Sequence, residues 1–387
     1  MEGQVQRHNN ETDRRIGELV RSLVRTAVLG AAARLGWRVE VIEPPQIECF
    51  GSTPDSITAR VDVTHDFNTR SSLFVKVGPP VVAENAGYDM LEELKFPHIW
   101  TRLYAEGSTL VLPWALNYRT LADEIASEAS DVGTLKSLVR DILIKLASLW
   151  GSTGDVGKAS PGRYRARLEE RTQENFQLFH SISVGGEHLP LRALVEMPIR
   201  LNGEQLPPLI CVKEEACRAL VRYPPSMGVV SHGDLHPANV LARIVDGVAM
   251  DWRLIDLVNV TDQGDFAWEI AKLVHYLEVY CIVDQWKSMI HAGKSPEGLE
   301  VVVRNGDLAV DYPVERLRPA VSNELSARVF ESGERFAEGI EDSGWRHRYA
   351  AHLFSVLWGG VRHHPGYPEL VPVLMAEAVR LFGAAKP

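Results

Sequence analysis

Between two apolar stretches lies a turn crowded with polar side chains, Ser231-His232-Gly233-Asp234-Leu235-His236-Pro237-Ala238-Asn239-Val240-Leu241. Ionisable groups gathered between apolar strands cost free energy unless they have a role or a partner. Asp234 and Asn239 are both oxygen donors, and a loop of this length can turn both toward one point. A further carboxylate, Asp256, follows the apolar pair Leu254-Ile255. An Asp, an Asn and a second Asp make a hard-cation site of the Mg²⁺ type, which takes oxygen ligands together with substrate phosphates. The other unusual charge is Lys76, inside Phe74-Val75-Lys76-Val77. It shares one strand face with Phe74, so a solvated surface does not explain it.

Periodicity outlines the elements that must hold these residues. Residues 12–35 carry apolar side chains at helical spacing from Ile16 to Leu35. Short strands are expected at 38–42, 47–50, 57–63, 72–77 and 109–114, with a helix at 83–94. That predicts a small α+β unit over 1–114, built on an antiparallel sheet. A larger, mostly helical unit is expected over 115–387, with helices at 134–150, 163–180, 214–221, 265–280 and through most of 323–382. Asp246-Gly247 and Asn305-Gly306 signal hairpins inside it. Residues 181–208 read as irregular.

The chain has 387 residues, with 41 Lys and Arg against 51 Asp and Glu, a formal net charge of −10. A nucleic-acid partner is not expected, because such a domain should be basic. No apolar run approaches the roughly 18 residues of a membrane span, so no membrane partner is expected either. The polar opening MEGQVQRHNNETDRR lacks the apolar core of a secretion signal. Four scattered cysteines give no disulfide framework, and a cytoplasmic address is expected. The expected assembly is a monomer or homodimer.

The run HGDLHPANVL, then Ile255-Asp256-Leu257, then Gly264-Asp265-Phe266-Ala267-Trp268-Glu269-Ile270-Ala271, resembles the aminoglycoside phosphotransferase/choline kinase family. The resemblance is strongest over 229–273, collinear over 47–114 and architectural elsewhere. It implies a two-lobed, protein-kinase-like α+β fold and an enzyme that moves the γ-phosphate of ATP (or GTP) to a small-molecule hydroxyl, with Mg²⁺. On the matching positions, Asp234 is the catalytic aspartate, and Asn239 and Asp256 hold the metal. Asp265 opens the next helix, and Glu269 stands where the family more often has Asp. Lys76 pairs the phosphates, with Glu84 as its ion-pair partner and Glu92 and Glu93 as alternatives. Gly51 and Ser52 belong to the loop over the phosphates, although G-x-G-x-x-G is missing. Pro113 and Ala115 fall at the hinge where backbone groups meet adenine. The chemistry is consistent, since phosphoryl transfer needs positioning and charge neutralisation more than covalent catalysis. Asp234 would orient the acceptor hydroxyl and take its proton.

Competing readings are weaker. Asp251 imitates Asp256 but stands too far from Gly264-Asp265. Residues 151–159 imitate a P-loop, one residue too long and with Ala159 in place of the Mg²⁺-binding Ser/Thr. His232, Asp234 and His236 alternate like the metal ligands of a hydrolase. A protein kinase would need D-F-G where Ile255-Asp256-Leu257 stands, and an A-P-E segment that is missing. Asp262, Asp265, Glu269, Glu324, Glu331, Glu334, Glu338, Glu341 and Asp342 put carboxylates after Asp256 and in the C-terminal helical region. That excess leads to the expectation of a cationic, hydroxylated acceptor such as an aminoglycoside, ahead of a neutral sugar or an amino alcohol. Arg362-His363-His364 could touch a phosphate or an acidic acceptor, or end a helix in solvent.

Overall fold

The computed structural model describes residues 21–47, 56–127, 130–160, 162–296 and 298–387. Gly51, Ser52, Cys49 and positions 12–20 of the expected opening helix lie outside them. Two compact units emerge. One comprises Met1–Arg119 with Leu241–Arg243 and Asp251–Val260; the other comprises Thr120–Val240, Ile244–Met250 and Thr261–Pro387. A single cut after residue 114 therefore separates Asp256 from the unit that holds it. The physical reason is local packing. His98 stacks on Trp252 at 3.8 Å, and the helix Pro80–Glu93 meets Leu257 so closely that a Cβ on Gly87 would lie 2.2 Å from the Leu257 carbonyl.

The first unit is an antiparallel sheet ordered Val39–Ile42, Ile57–His65, Thr69–Val77, Thr109–Pro113, Tyr104–Glu106. Its register sets Lys76 between Thr58 and Leu110. Val24, Ala27, Val28 and Ala31 of the helix over 21–35 pack on Val61, Leu73, Val75 and Val111. Leu23 and Leu35, expected on that stripe, are exposed instead. The buried face is therefore narrower than the periodicity suggests.

The second unit is built around the helix Trp345–Gly360, buried on every side from Arg348 onward. Such a helix belongs to the middle of a core. Val132–Thr153, Arg163–Leu178, Leu209–Arg222, Phe266–His275, Ala320–Gly339 and Val371–Ala385 surround that core. The stretch 181–208, read as irregular, instead holds two hairpins, Ser181–Val184 with Glu187–Pro190 and Ile199–Leu201 with Glu204–Leu206. The second joins the hairpin Glu300–Arg304/Asp307–Asp311 in a four-stranded sheet, with Ile199–Leu201 parallel to Leu308–Val310. Among the described residues, no helix is long and apolar enough to cross a membrane.

Candidate active site

In the first unit, the strand Thr69–Val77 carries Lys76 and the helix Pro80–Glu93 carries Glu84. The Lys76 Nζ lies 2.7 Å from Glu84 Oε2 and 2.9 Å from Asp256 Oδ1. Burial works against the lysine's charge, but the two carboxylates outweigh it and raise its pKa. Glu84 is 2 % exposed and also accepts the Leu257 amide, so one carboxylate steadies both the lysine and the backbone beside Asp256. Asp256 itself sits at φ 59°, ψ 57°, a left-handed conformation that non-glycine residues occupy sparingly and often at functional sites. The rival residues are engaged elsewhere. Glu92 pairs with Arg102 at 2.6 Å, and Asp251 pairs with Arg253 at 2.9 Å and accepts the Tyr118 hydroxyl. Pro113 ends its strand, and the Ala115 carbonyl is taken by the Tyr118 amide.

In the second unit, the strand Val229–Ser231 delivers the polar turn. Gly233, at φ 77°, is held on both sides of its peptide. Its N–H donates to Glu269 Oε1 at 2.8 Å, and its carbonyl accepts from Trp268 Nε1 at 2.9 Å. The Asp234 carbonyl accepts from Asn239 Nδ2 at 2.9 Å, and its N–H donates to the buried His232 at 3.3 Å. The Asp234 carboxylate is in ion-pair contact with Lys272 and lies 3.8 Å from His236. Burial raises its pKa; Lys272 and His236 overcome that and hold the carboxyl well below the usual range. Glu269, fully buried, is pushed up to about 8 by burial, against the pull of the Gly233 N–H. Burial thus favours its neutral form, and its longer side chain reaches the loop backbone. The helix behind the loop is fixed by Asp265, which caps it and is bound by Arg348 Nε at 2.7 Å and His352 Nε2 at 2.9 Å. After His275 a π-turn, Tyr276–Tyr280, stacks the Tyr276 ring against His236.

Asp256 in the first unit and Asn239 in the second each carry an oxygen donor of the hard kind that Mg²⁺ takes. Asn239 fits through its Oδ1, because its Nδ2 is spent on the Asp234 carbonyl. Among the described residues, no group of three or more His, Cys, Asp or Glu is gathered to hold a metal. The His232-Asp234-His236 alternation thus makes no ligand cluster of its own. The P-loop-like run closes the helix Val132–Thr153 and continues into a 3₁₀ turn, where Lys158 pairs with Asp262 at 2.8 Å.

Five of the nine carboxylates expected to attract a cation are compensated. Asp265 and Asp342 share Arg348, Asp262 has Lys158, Glu324 pairs with Lys136, and Glu334 pairs with Arg346. Around Asp234 the charges are of the opposite sign. Arg167 and Arg171, one turn apart on the helix Arg163–Leu178, lie over the Trp268 ring at 4.7 and 5.3 Å. Lys272 and Arg362 complete the group, with Arg362 paired to Glu174. The sequence reading passed over Arg167, Arg171 and Lys272. Their signals were present: arginines at 163, 167 and 171, and the stripe Asp265, Glu269, Lys272, Tyr276 at spacings of four, three and four.

No protein-family model matches the chain, and no curated protein matches it in sequence. Solved structures do share its fold. A glucosamine kinase in complex with glucosamine, ADP and inorganic phosphate aligns with TM-score 0.50 at 10% identity, over 93% of this chain and 84% of that one. An ethanolamine kinase from Plasmodium vivax aligns with TM-score 0.50 at 10% identity, over 89% of this chain and 84% of that one. The chain thus has the two-lobed α+β fold found in small-molecule kinases.

Proposed function

We propose that the protein is an ATP-dependent O-phosphotransferase acting on a hydroxyl of a small molecule. The observation that carries this reading is Lys76 held between Glu84 at 2.7 Å and Asp256 at 2.9 Å. A half-buried lysine bound to two carboxylates on different elements is a fixed positive point of the kind that meets nucleotide phosphates. The fold shared with a glucosamine kinase crystallised with ADP and with an ethanolamine kinase supports the same reading.

In this reading, Asp234 accepts the hydrogen bond of the acceptor hydroxyl and aims its oxygen at the γ-phosphate. Lys272 keeps Asp234 ionised and only weakly basic, which suits a reaction in which the proton moves late, as the new P–O bond forms. Glu269 and Trp268 hold Gly233 and so fix the loop that carries Asp234. Asp256 and Asn239 would hold Mg²⁺, which when bound neutralises charge on the phosphate oxygens. The test is ADP formation from Mg-ATP with a panel of hydroxylated acceptors. Acceptor-dependent ADP release that disappears in Asp234→Asn supports the assignment. Tight Mg-ATP binding without any transfer would favour a nucleotide-binding module instead.

For the acceptor, an aminoglycoside or another basic antibiotic remains one reading, on the acidic net charge of −10. A sugar or amino alcohol is the other, favoured by the glucosamine and ethanolamine kinases that share the fold.

A further inference from the structure

We propose that Arg171 and Arg167, with Lys272, form a subsite for an anionic group, a carboxylate or phosphate, carried by the acceptor. This rests on the phosphotransferase reading and gives its substrate a charge opposite to the one that the acidic composition suggests.

Arg171 is 6 % exposed, and its Nε–H has no hydrogen-bond partner among the described residues. An unpartnered Nε–H recurs at Arg243 and Arg318, so the contrast lies in the counter-ion: three other enclosed arginines each have a carboxylate. Arg348, 1 % exposed, has Asp265 and Asp342. Arg102 has Asp89 and Glu92, and Arg318 has Glu278. A buried guanidinium left without an anion costs far more than a paired one, so this position is completed by something outside the chain. Of the carboxylates that act on it, Asp234 is already in contact with Lys272 and Glu174 with Arg362. Burial and the neighbouring Arg167 and Arg362 push the Arg171 pKa down to about 9, a charge in need of a counter-ion.

The site is also built to hold these side chains still. Both guanidinium groups lie against the Trp268 ring, and a guanidinium can meet a planar or tetrahedral oxyanion in a forked geometry. Two successive glycines make the room. A Cβ on Gly359 would lie 2.5 Å from Arg171 Cδ, and one on Gly360 would lie 2.1 Å from the Tyr280 hydroxyl. Side chains at either position would expel the arginine stem or the tyrosine from this wall.

The test uses the full chain and four small probes matched in skeleton: glycerate, glycerol 3-phosphate, glycerol and 2-amino-1,3-propanediol. Binding is measured by calorimetry with the protein saturated by Mg-ADP, at probe concentrations reaching about 10 mM, since a site of this size gives Kd values near the millimolar range. One or both anions should bind at least tenfold more tightly than glycerol and the cation. Arg171→Met and, separately, the half-exposed Arg167→Met should weaken that binding by about 10- to 100-fold, the value of one or two charge-assisted hydrogen bonds, and leave Mg-ADP affinity within about twofold. Arg171→Met should also melt higher than the wild type without ligand, which a merely structural arginine would not do. Failure of both anions to bind, or tighter binding of the cation, overturns the proposal. So does a loss confined to Mg-ATP, which would assign the arginines to the nucleotide's own phosphate. Failure of Mg-ADP to bind would instead remove the kinase reading; an arginine-dependent anion site that survived it would stand apart from phosphoryl transfer.

Discussion

Two charge clusters in this molecule are balanced in opposite ways. Around Lys76 one cation is met by two carboxylates, Glu84 and Asp256. Around Asp234 one carboxylate is met by Lys272 and faced by Arg167 and Arg171, and burial favours the neutral form of the nearby Glu269. The first cluster has spare negative charge on Asp256, the group that would take a metal cation. The second has spare positive charge, and among the described residues no carboxylate is paired with Arg167 or Arg171. Each imbalance describes the ligand that would cancel it, and overall net charge reports neither.

The largest effect should come from the centre of the second cluster. Asp234→Asn keeps the shape and removes the charge, and kcat should fall by roughly 10²–10⁴. Mg-ADP affinity should stay within about twofold, because the Lys76 cluster is untouched. Turnover near the wild-type value with the best acceptor would mean that Asp234 serves only to balance Lys272.

A sharper comparison sets two buried arginines of the second unit against each other. Arg348→Met strands Asp265 and Asp342 without their cation and should cost about 3–5 kcal/mol of stability, as breaking one side of a buried ion pair does. Arg171→Met strands nothing and should raise Tm. Urea and thermal melts of both variants check the signs. Equal destabilisation would show that Arg171 is held by contacts that satisfy it already.

In the first cluster, Lys76→Ala should raise the KM for ATP about 10- to 100-fold, the worth of a charge-assisted contact or two, and lower turnover. Glu84→Gln should show a milder form of the same defect, since Lys76 keeps Asp256. Asp251→Ala should leave Mg-ATP binding near the wild-type value, because its partners are Tyr118 and Arg253. Calorimetric titration with Mg-ATP ranks the three, and a larger loss in Asp251→Ala than in Asp256→Ala would reverse the choice of metal-holding carboxylate.

What the sequence reveals differs between these clusters for a physical reason. Lys76 and Asp256 stood out because charges interrupt apolar strands of period two, and a polar residue there is hard to place otherwise. The hairpin at Asn305-Gly306 stood out because its turn needs positive φ, at 53° and 85°. The same signal at Asn202-Gly203, with φ of 48° and 85°, was passed over inside a stretch rich in proline and glycine. Arg167 and Arg171 were hidden for the opposite reason. A charged helix is ordinarily a solvated one, and only packing on Trp268, contributed by a segment about a hundred residues later, turns that face inward. The pairing of some acidic residues of the C-terminal half was equally hidden, because a partner such as Lys136 for Glu324 lies far away in sequence.

The smallest effect at neutral pH belongs to Glu269→Gln, and its value lies in the slope it changes. The Glu269 carboxyl has a pKa near 8 in the folded chain against an ordinary value of 4.5. The folded protein therefore holds a proton that the unfolded chain has released, and the stability tied to it is fully present below pH 4.5 and lost as pH climbs toward 8. The slope reaches at most about 1.4 kcal/mol per pH unit within that window. Gln keeps the oxygen that accepts the Gly233 N–H and cannot ionise, so this contribution should vanish and its Tm should decline less between pH 5 and pH 8 than that of the wild type. Parallel curves would mean that Glu269 is already ionised in the fold. The excess of positive charge around Asp234 would then shrink by one, and the contrast between the two clusters would shrink with it.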